Sequence, residues 1–123
     1  MMKLLLIDDD VFLRDMYAAK FADEGFTVET AQSASDAFRL LEQGADFSVI
    51  LLDMIMPGMT GIEIIKKVQE QFPDLKTKFI ILSNHGQQED IKEATAAGAI
   101  GYIIKAESVP SDVVKKVNKL IEK

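Results

Sequence analysis

The side chains in this 123-residue chain that are best suited to chemistry all follow short apolar runs. Asp8, Asp9 and Asp10 follow Leu4-Leu5-Leu6-Ile7, and Asp53 follows Val49-Ile50-Leu51-Leu52. Ser83, Asn84 and His85 follow Phe79-Ile80-Ile81-Leu82, and Lys105 follows Tyr102-Ile103-Ile104. If the first and third runs are neighbours, Asp8, Asp9 and Asp53 converge. Two unit charges about 4 Å apart repel by about 4 kcal/mol at an effective dielectric of about 20, so such a cluster needs a cation or a proton. An all-oxygen donor set with an incomplete protein shell suits Mg2+, or Mn2+ by the same hard-oxygen preference. A carboxylate at the end of a stiff strand can act as a nucleophile and carry a phosphoryl group. Lysine is a compact charge for phosphate oxygens, and the Ser83 hydroxyl can donate to one. Together these groups match the requirements of phosphoryl transfer.

Each residue also has a plainer reading. Asp10 reads as the N-cap of a first helix, with Asp8 and Asp9 solvated beside it. Asp53 could cap a turn made by Pro57 and Gly58, and Lys105 could be a surface lysine ending a strand. Ser83 could bond the backbone of its own turn, and Tyr102 could be boundary packing. Their joint placement after four apolar runs favours the chemical reading.

The elements that must hold them alternate along the chain. Runs at 3–7, 47–52, 79–82 and 101–104 are short and largely apolar, as strands buried on both faces require, and 26–30 alternates with β-branched residues. Helical spacing falls at 11–24, 33–43, 61–71, 87–97 and 108–122. In the first helix the apolar stripe reads Phe12, Leu13, Met16, Tyr17 and Phe21, ending at Gly25. The second has Ser33 or Ser35 as N-cap and stops at Gly44; the fourth stops at Gly98; Pro110 suits the first turn of the fifth. Strict alternation predicts a doubly wound (βα)5 sandwich, flavodoxin-like, with a five-stranded parallel sheet in order 2-1-3-4-5. Ligands in such sheets bind past the carboxyl ends of the strands, where these polar residues fall. No linker, repeat or low-complexity tract divides residues 1–123, which are expected to form one domain.

Composition narrows the function classes. Apolar residues are 48% and charged residues 28%, values of an ordinary globular chain. No apolar run reaches the roughly 18 residues of a membrane helix. Asp8 to Asp10 cut short the apolar start, a poor fit to a signal peptide, so a cytoplasmic chain is expected. With no cysteine, thiolate metal sites and a cysteine nucleophile are excluded, and His85 is the only histidine. A net charge of −6 and no basic face argue against direct nucleic-acid binding, and no basic amphipathic stretch points to a lipid surface.

The pieces Leu6-Ile7-Asp8-Asp9-Asp10, Ile50-Leu51-Leu52-Asp53-Met54-Ile55-Met56-Pro57-Gly58-Met59-Thr60-Gly61, Ile81-Leu82-Ser83 and Gly98 through Lys105 resemble the receiver domain of two-component response regulators, over essentially the whole chain. The resemblance implies that Asp53 is the phosphoacceptor. It implies that Asp8, Asp9 and Asp53 bind Mg2+ with the Ile55 backbone carbonyl, Asp9 being the more direct ligand. Lys105 and Ser83 would contact the phosphoryl group, and Ser83 and Tyr102 would switch. A histidine kinase or histidine phosphotransfer protein would be the donor. A downstream protein, or an output domain beyond this chain, would read the face made by the fourth helix, fifth strand and fifth helix. A receiver assists its own phosphorylation and is not a dedicated enzyme.

The chain departs from the family pattern in places. Ala106 stands where proline usually follows the lysine, so a trans peptide is expected there. Thr60 replaces a common aspartate, Ser83 replaces threonine, and Asn84 replaces a small residue, narrowing access. Ile55, Asn84 and His85 sit where side chains tune water attack; apolar Ile55 cannot orient water, so slow self-dephosphorylation is expected. The alternative is a pseudo-receiver, an interaction module that never accepts phosphate. An aspartyl phosphatase on the same architecture would need a second aspartate where Ile55 stands.

Overall fold

The computed structural model describes residues 2–122. Five strands, β1 (Lys3–Ile7), β2 (Thr27–Ala31), β3 (Val49–Leu52), β4 (Lys78–Ser83) and β5 (Ala99–Ile104), alternate with α1 (Val11–Asp23), α2 (Ala34–Glu42), α3 (Gly61–Gln71), α4 (Gln88–Ala97) and α5 (Pro110–Ile121). The strands form one parallel sheet in order β2-β1-β3-β4-β5, the expected doubly wound arrangement.

Alternation along each strand sorts the core into two layers. Leu5, Ile7, Ile50, Leu52 and Ile81 face α2, α3 and α4, where Leu41, Ile64, Ile65 and Val68 meet them. Leu4, Leu6, Leu51, Ile80, Leu82 and Ile103 face α1 and α5, where Tyr17, Phe21, Val113, Val114 and Val117 close the layer. Both faces of β3 are therefore buried, which is why it reads as an unbroken apolar run.

Element edges differ from the expected ones for physical reasons. Phe26, expected to open a strand, instead packs its ring edge-on against Phe21 at 5.2 Å, and pairing starts at Thr27. The third strand starts at Val49 rather than 47, although the Ser48 backbone already bonds Lys3 and Lys78 on the two neighbouring strands. β4 extends through Ser83, and β5 begins at Ala99, before the expected 101, across an irregular register near Phe79 and Ile80. Phe12 is not in the α1 stripe: at 76% exposed it points to solvent, and burial in that helix rests on Tyr17 and Phe21. Ser33, not Ser35, caps α2 through the Asp36 amide. The expected fifth helix at 108 starts at Pro110, because Lys105–Glu107 close a 3-10 turn first.

Candidate functional site

Strand register assembles the site. Ile7 pairs with Leu52, so Asp8 and Asp53, one residue further on, emerge side by side. Asp53 N–H donates to the Ile7 carbonyl (3.2 Å) and Asp8 N–H to the Ala31 carbonyl (3.1 Å), extending the ladder to the carboxylates themselves. Ser83 pairs with Ile104, which delivers Lys105 just past the same edge.

Asp8, Asp9 and Asp53 each offer a carboxylate oxygen, and these atoms lie within 4.8 Å of one another. The Lys105 ammonium is held between two of them, 2.8 Å from Asp8 Oδ2 and 3.0 Å from Asp53 Oδ2. Asp8 is 1% exposed and Lys105 9%, whereas Asp9 faces solvent. Burial alone would depress the lysine pKa. The hydrogen bond to Asp8 and the charge of Asp53 outweigh it and hold the ammonium above its usual 10.5. Three carboxylates against one ammonium leave two negative charges, and the donors are all hard oxygens. The residues therefore fit a divalent cation of the magnesium class. The Ile55 carbonyl accepts no hydrogen bond among the described residues, so it too is free to ligate.

Local sequence fixes each candidate ligand. Asp10 is the N-cap of α1, accepting from Leu13 N–H at 3.0 Å, which removes it from the cluster. Asp8 Oδ1 accepts from Asp10 N–H at 3.0 Å, leaving Oδ2 for Lys105. Ile55 N–H approaches Asp53 Oδ1 at 3.4 Å, and the Ile55 side chain is 53% exposed beside it. Thr60 and Glu63 form a reciprocal capping box at the start of α3, so the departure at Thr60 serves the helix. Gly61 is required next to it: a Cβ there would lie 2.5 Å from the Asp53 carbonyl oxygen.

The other expected residues lie at the end of β4, in the loop after it and on β5. Ser83 is fully buried, and its Oγ accepts from the His85 amide at 3.2 Å, so in this conformation it serves its own turn. Tyr102 donates its phenol to the His85 carbonyl. Burial first, then the charges of Asp90 and Asp53, push that phenol up to about 12, with the Ser83 hydroxyl pulling the other way. The side chains of Asn84 and His85 are exposed. All peptide bonds among the described residues are trans, including Lys105–Ala106, and Lys105 still reaches both aspartates.

Two neighbours escape a reading by motif. Tyr17 is buried in α1; burial raises its phenol pKa, the Lys105 charge opposes and the Asp8 charge adds. Arg14 donates from Nη1 to the Asp8 carbonyl at 3.0 Å. The available signal was position: side chains in the first turns of a helix lean back toward its N-terminus, here the acidic turn.

A 2-1-3-4-5 parallel sheet whose first, third and fifth strands converge on carboxylates and a lysine defines a doubly wound α/β protein of the flavodoxin-like class. Within that class the chain belongs to the response regulator receiver domain family, whose model matches residues 4–118. It is 33% identical over 121 residues to response regulator SaeR of Staphylococcus aureus, covering 98% of this chain and 51% of the relative. The chain thus spans about half the length of the curated relatives it matches. Among solved structures it is similar to the Vibrio cholerae chemotaxis protein CheY4, with a TM-score of 0.88, 33% identity and 98% of each chain covered. A CheY-like response regulator receiver domain protein from Methanospirillum hungatei matches with a TM-score of 0.86 and 27% identity, over 99% of this chain and 94% of the other.

Proposed function

We propose that residues 1–123 act as one phosphoaccepting receiver unit, with Asp53 taking a phosphoryl group from a phosphohistidine on a sensor kinase or histidine phosphotransfer protein. The observation that carries this reading is the buried Lys105 ammonium bridging Asp8 and Asp53 with Asp9 alongside. An Asp53 carboxylate oxygen attacks phosphorus; the O–P bond forms as the P–N bond of the donor breaks, and the imidazole nitrogen keeps the electron pair and takes a proton from water. Lys105 is already within hydrogen-bonding distance of the nucleophile and follows the developing charge onto the phosphoryl oxygens. Bound at Asp8, Asp9, Asp53 and the Ile55 carbonyl, Mg2+ or Mn2+ supplies neutralisation of the phosphoryl charge. Ser83 leaves its own turn to donate to a phosphoryl oxygen, and the His85 segment held by Tyr102 moves with it. A partner protein or output domain that prefers the moved arrangement shifts the population toward it. Because phosphohistidine donors are made from ATP inside the cell, the reading places the chain in the cytoplasm.

The test is mass spectrometry after incubation with acetyl phosphate and Mg2+. One phosphoryl adduct mapping to Asp53 is expected, lost on chelation and absent from Asp53→Asn. No adduct on the wild type, or an equal one on the variant, leaves the pseudo-receiver reading in its place.

A further inference from the structure

We infer that Arg14 is a positioning residue for the cation-binding turn, acting as an anchor and not as a charge. The inference rests on the reading of Asp8 and Asp9 as cation ligands. Every polar group of Asp8 is engaged. Its N–H donates to the Ala31 carbonyl at 3.1 Å, its Oδ1 accepts from Asp10 N–H at 3.0 Å, and its Oδ2 accepts from Lys105 at 2.8 Å. The remaining group, the carbonyl, accepts from Arg14 Nη1 at 3.0 Å. That carbonyl belongs to the peptide unit joining Asp8 to Asp9. Its orientation sets the direction in which the chain leaves the sheet and so where the Asp9 carboxylate points. Asp9 is exposed, and no side-chain hydrogen bond or ion pair is found for it among the described residues, so its aim depends on its backbone. Arg14 is half-buried and takes part in none of the ion pairs found among the described residues; the one hydrogen bond found there for its guanidinium is to the carbonyl. Being one turn inside α1, whose N-cap Asp10 is itself fixed by Leu13 N–H, it ties the turn to a rigid element.

Charge and anchoring make opposite predictions. A guanidinium near a cation site repels the cation, so deleting a mere charge tightens binding. Deleting an anchor loosens the ligand turn, and removal of an outer contact of this kind costs roughly tenfold in metal affinity. Isothermal titration of Mg2+ into the unphosphorylated protein reads this directly for wild type, Arg14→Ala and Arg14→Lys. The anchor predicts about tenfold weaker Mg2+ binding in Arg14→Ala, with partial recovery in Arg14→Lys, which keeps one donor on a long stem. Binding that is unchanged or tighter in Arg14→Ala overturns the inference, as does an Arg14→Lys variant no better than Arg14→Ala. Acetyl phosphate labelling of the same samples separates the two readings. A wild type that binds Mg2+ without forming an Asp53 adduct defeats the phosphoacceptor role and leaves the anchor comparison standing. A labelled wild type with an indifferent Arg14 defeats the anchor alone.

Discussion

Around Asp53 and Lys105 the sheet edge is closed and held by charge, while one strand over, at residues 84–89, it is exposed and held by single neutral contacts. The helices that follow Asp8 and Asp53 start from side-chain caps, Asp10 on α1 and the Thr60–Glu63 box on α3, whereas α5, after Lys105, has none. Helix α4, on the open side, has Gln87 as its N-cap, with no side-chain cap bond. Its loop is tied down by the Tyr102 phenol on the His85 carbonyl and by the Ile104 side chain lying against Gly86. Chemistry on a developing charge needs donors that do not reorganise, whereas a reporting surface must be able to leave its ground state at low cost. On the proposed function these demands fall to adjacent strand ends, with Ser83 at the boundary.

The largest expected effect tests the closed side. Lys105→Met leaves Asp8 and Asp53 facing each other without a cation. Breaking a buried pair costs about 3–5 kcal/mol; because water reaches Asp53, about 2–3 kcal/mol is expected in urea unfolding. Saturating Mg2+ should restore part of the loss, since it binds only the folded cluster. The pH profile has a definite sign. The folded lysine pKa is raised, so its contribution is fully present below 10.5 and disappears as pH climbs through the folded value. Lys105→Met should lack that alkaline limb. A variant as stable as wild type at neutral pH without Mg2+ would mean the ion pairs do not hold the edge.

Two glycines sharpen the contrast at smaller cost. At Gly61 a Cβ would strike the Asp53 carbonyl, which is backbone and cannot swing away. At Gly86 it would strike the tip of the Ile104 side chain, which can rotate. Gly61→Ala is therefore expected to cost about 1–3 kcal/mol and to slow Asp53 labelling, whereas Gly86→Ala should cost less than about 1 kcal/mol. Equal losses in denaturant titrations would erase the distinction between a fixed and a yielding neighbour.

What is legible in the sequence follows the same division. Asp8, Asp9, Asp53 and Lys105 were readable because each ends an apolar run, and strand ends in this architecture share one edge. The N-cap role of Asp10 was readable because it is a local rule. Phe12 was misplaced in the core because the helical period fixes spacing but not where the buried arc ends. Strand edges moved by one or two residues where a ring contact, as at Phe26, or an irregular register, as before Ile80, ended or prolonged pairing. The contacts of Arg14, Tyr102 and Gly86 with Asp8, His85 and Ile104 join elements whose approach depends on packing, and no local pattern encodes them.

The smallest expected effect concerns the lifetime of the acyl phosphate, where the two sides meet. Hydrolysis needs a water oriented toward phosphorus, and Ile55, two residues beyond Asp53 and half open to solvent, has no group to orient one. Ile55→Asn places an amide there and should shorten the lifetime by roughly three- to tenfold, well below what full general-base catalysis delivers. His85 is engaged through its carbonyl, which accepts from Tyr102, while its imidazole faces solvent. His85→Ala keeps that carbonyl and should change the lifetime less than Ile55→Asn does. Decay of purified phosphoprotein followed by intact mass gives both rates. A larger effect at His85 would mean that the open loop, and not the rim of the charged pocket, governs water attack; unchanged lifetimes in both would remove water tuning from either position.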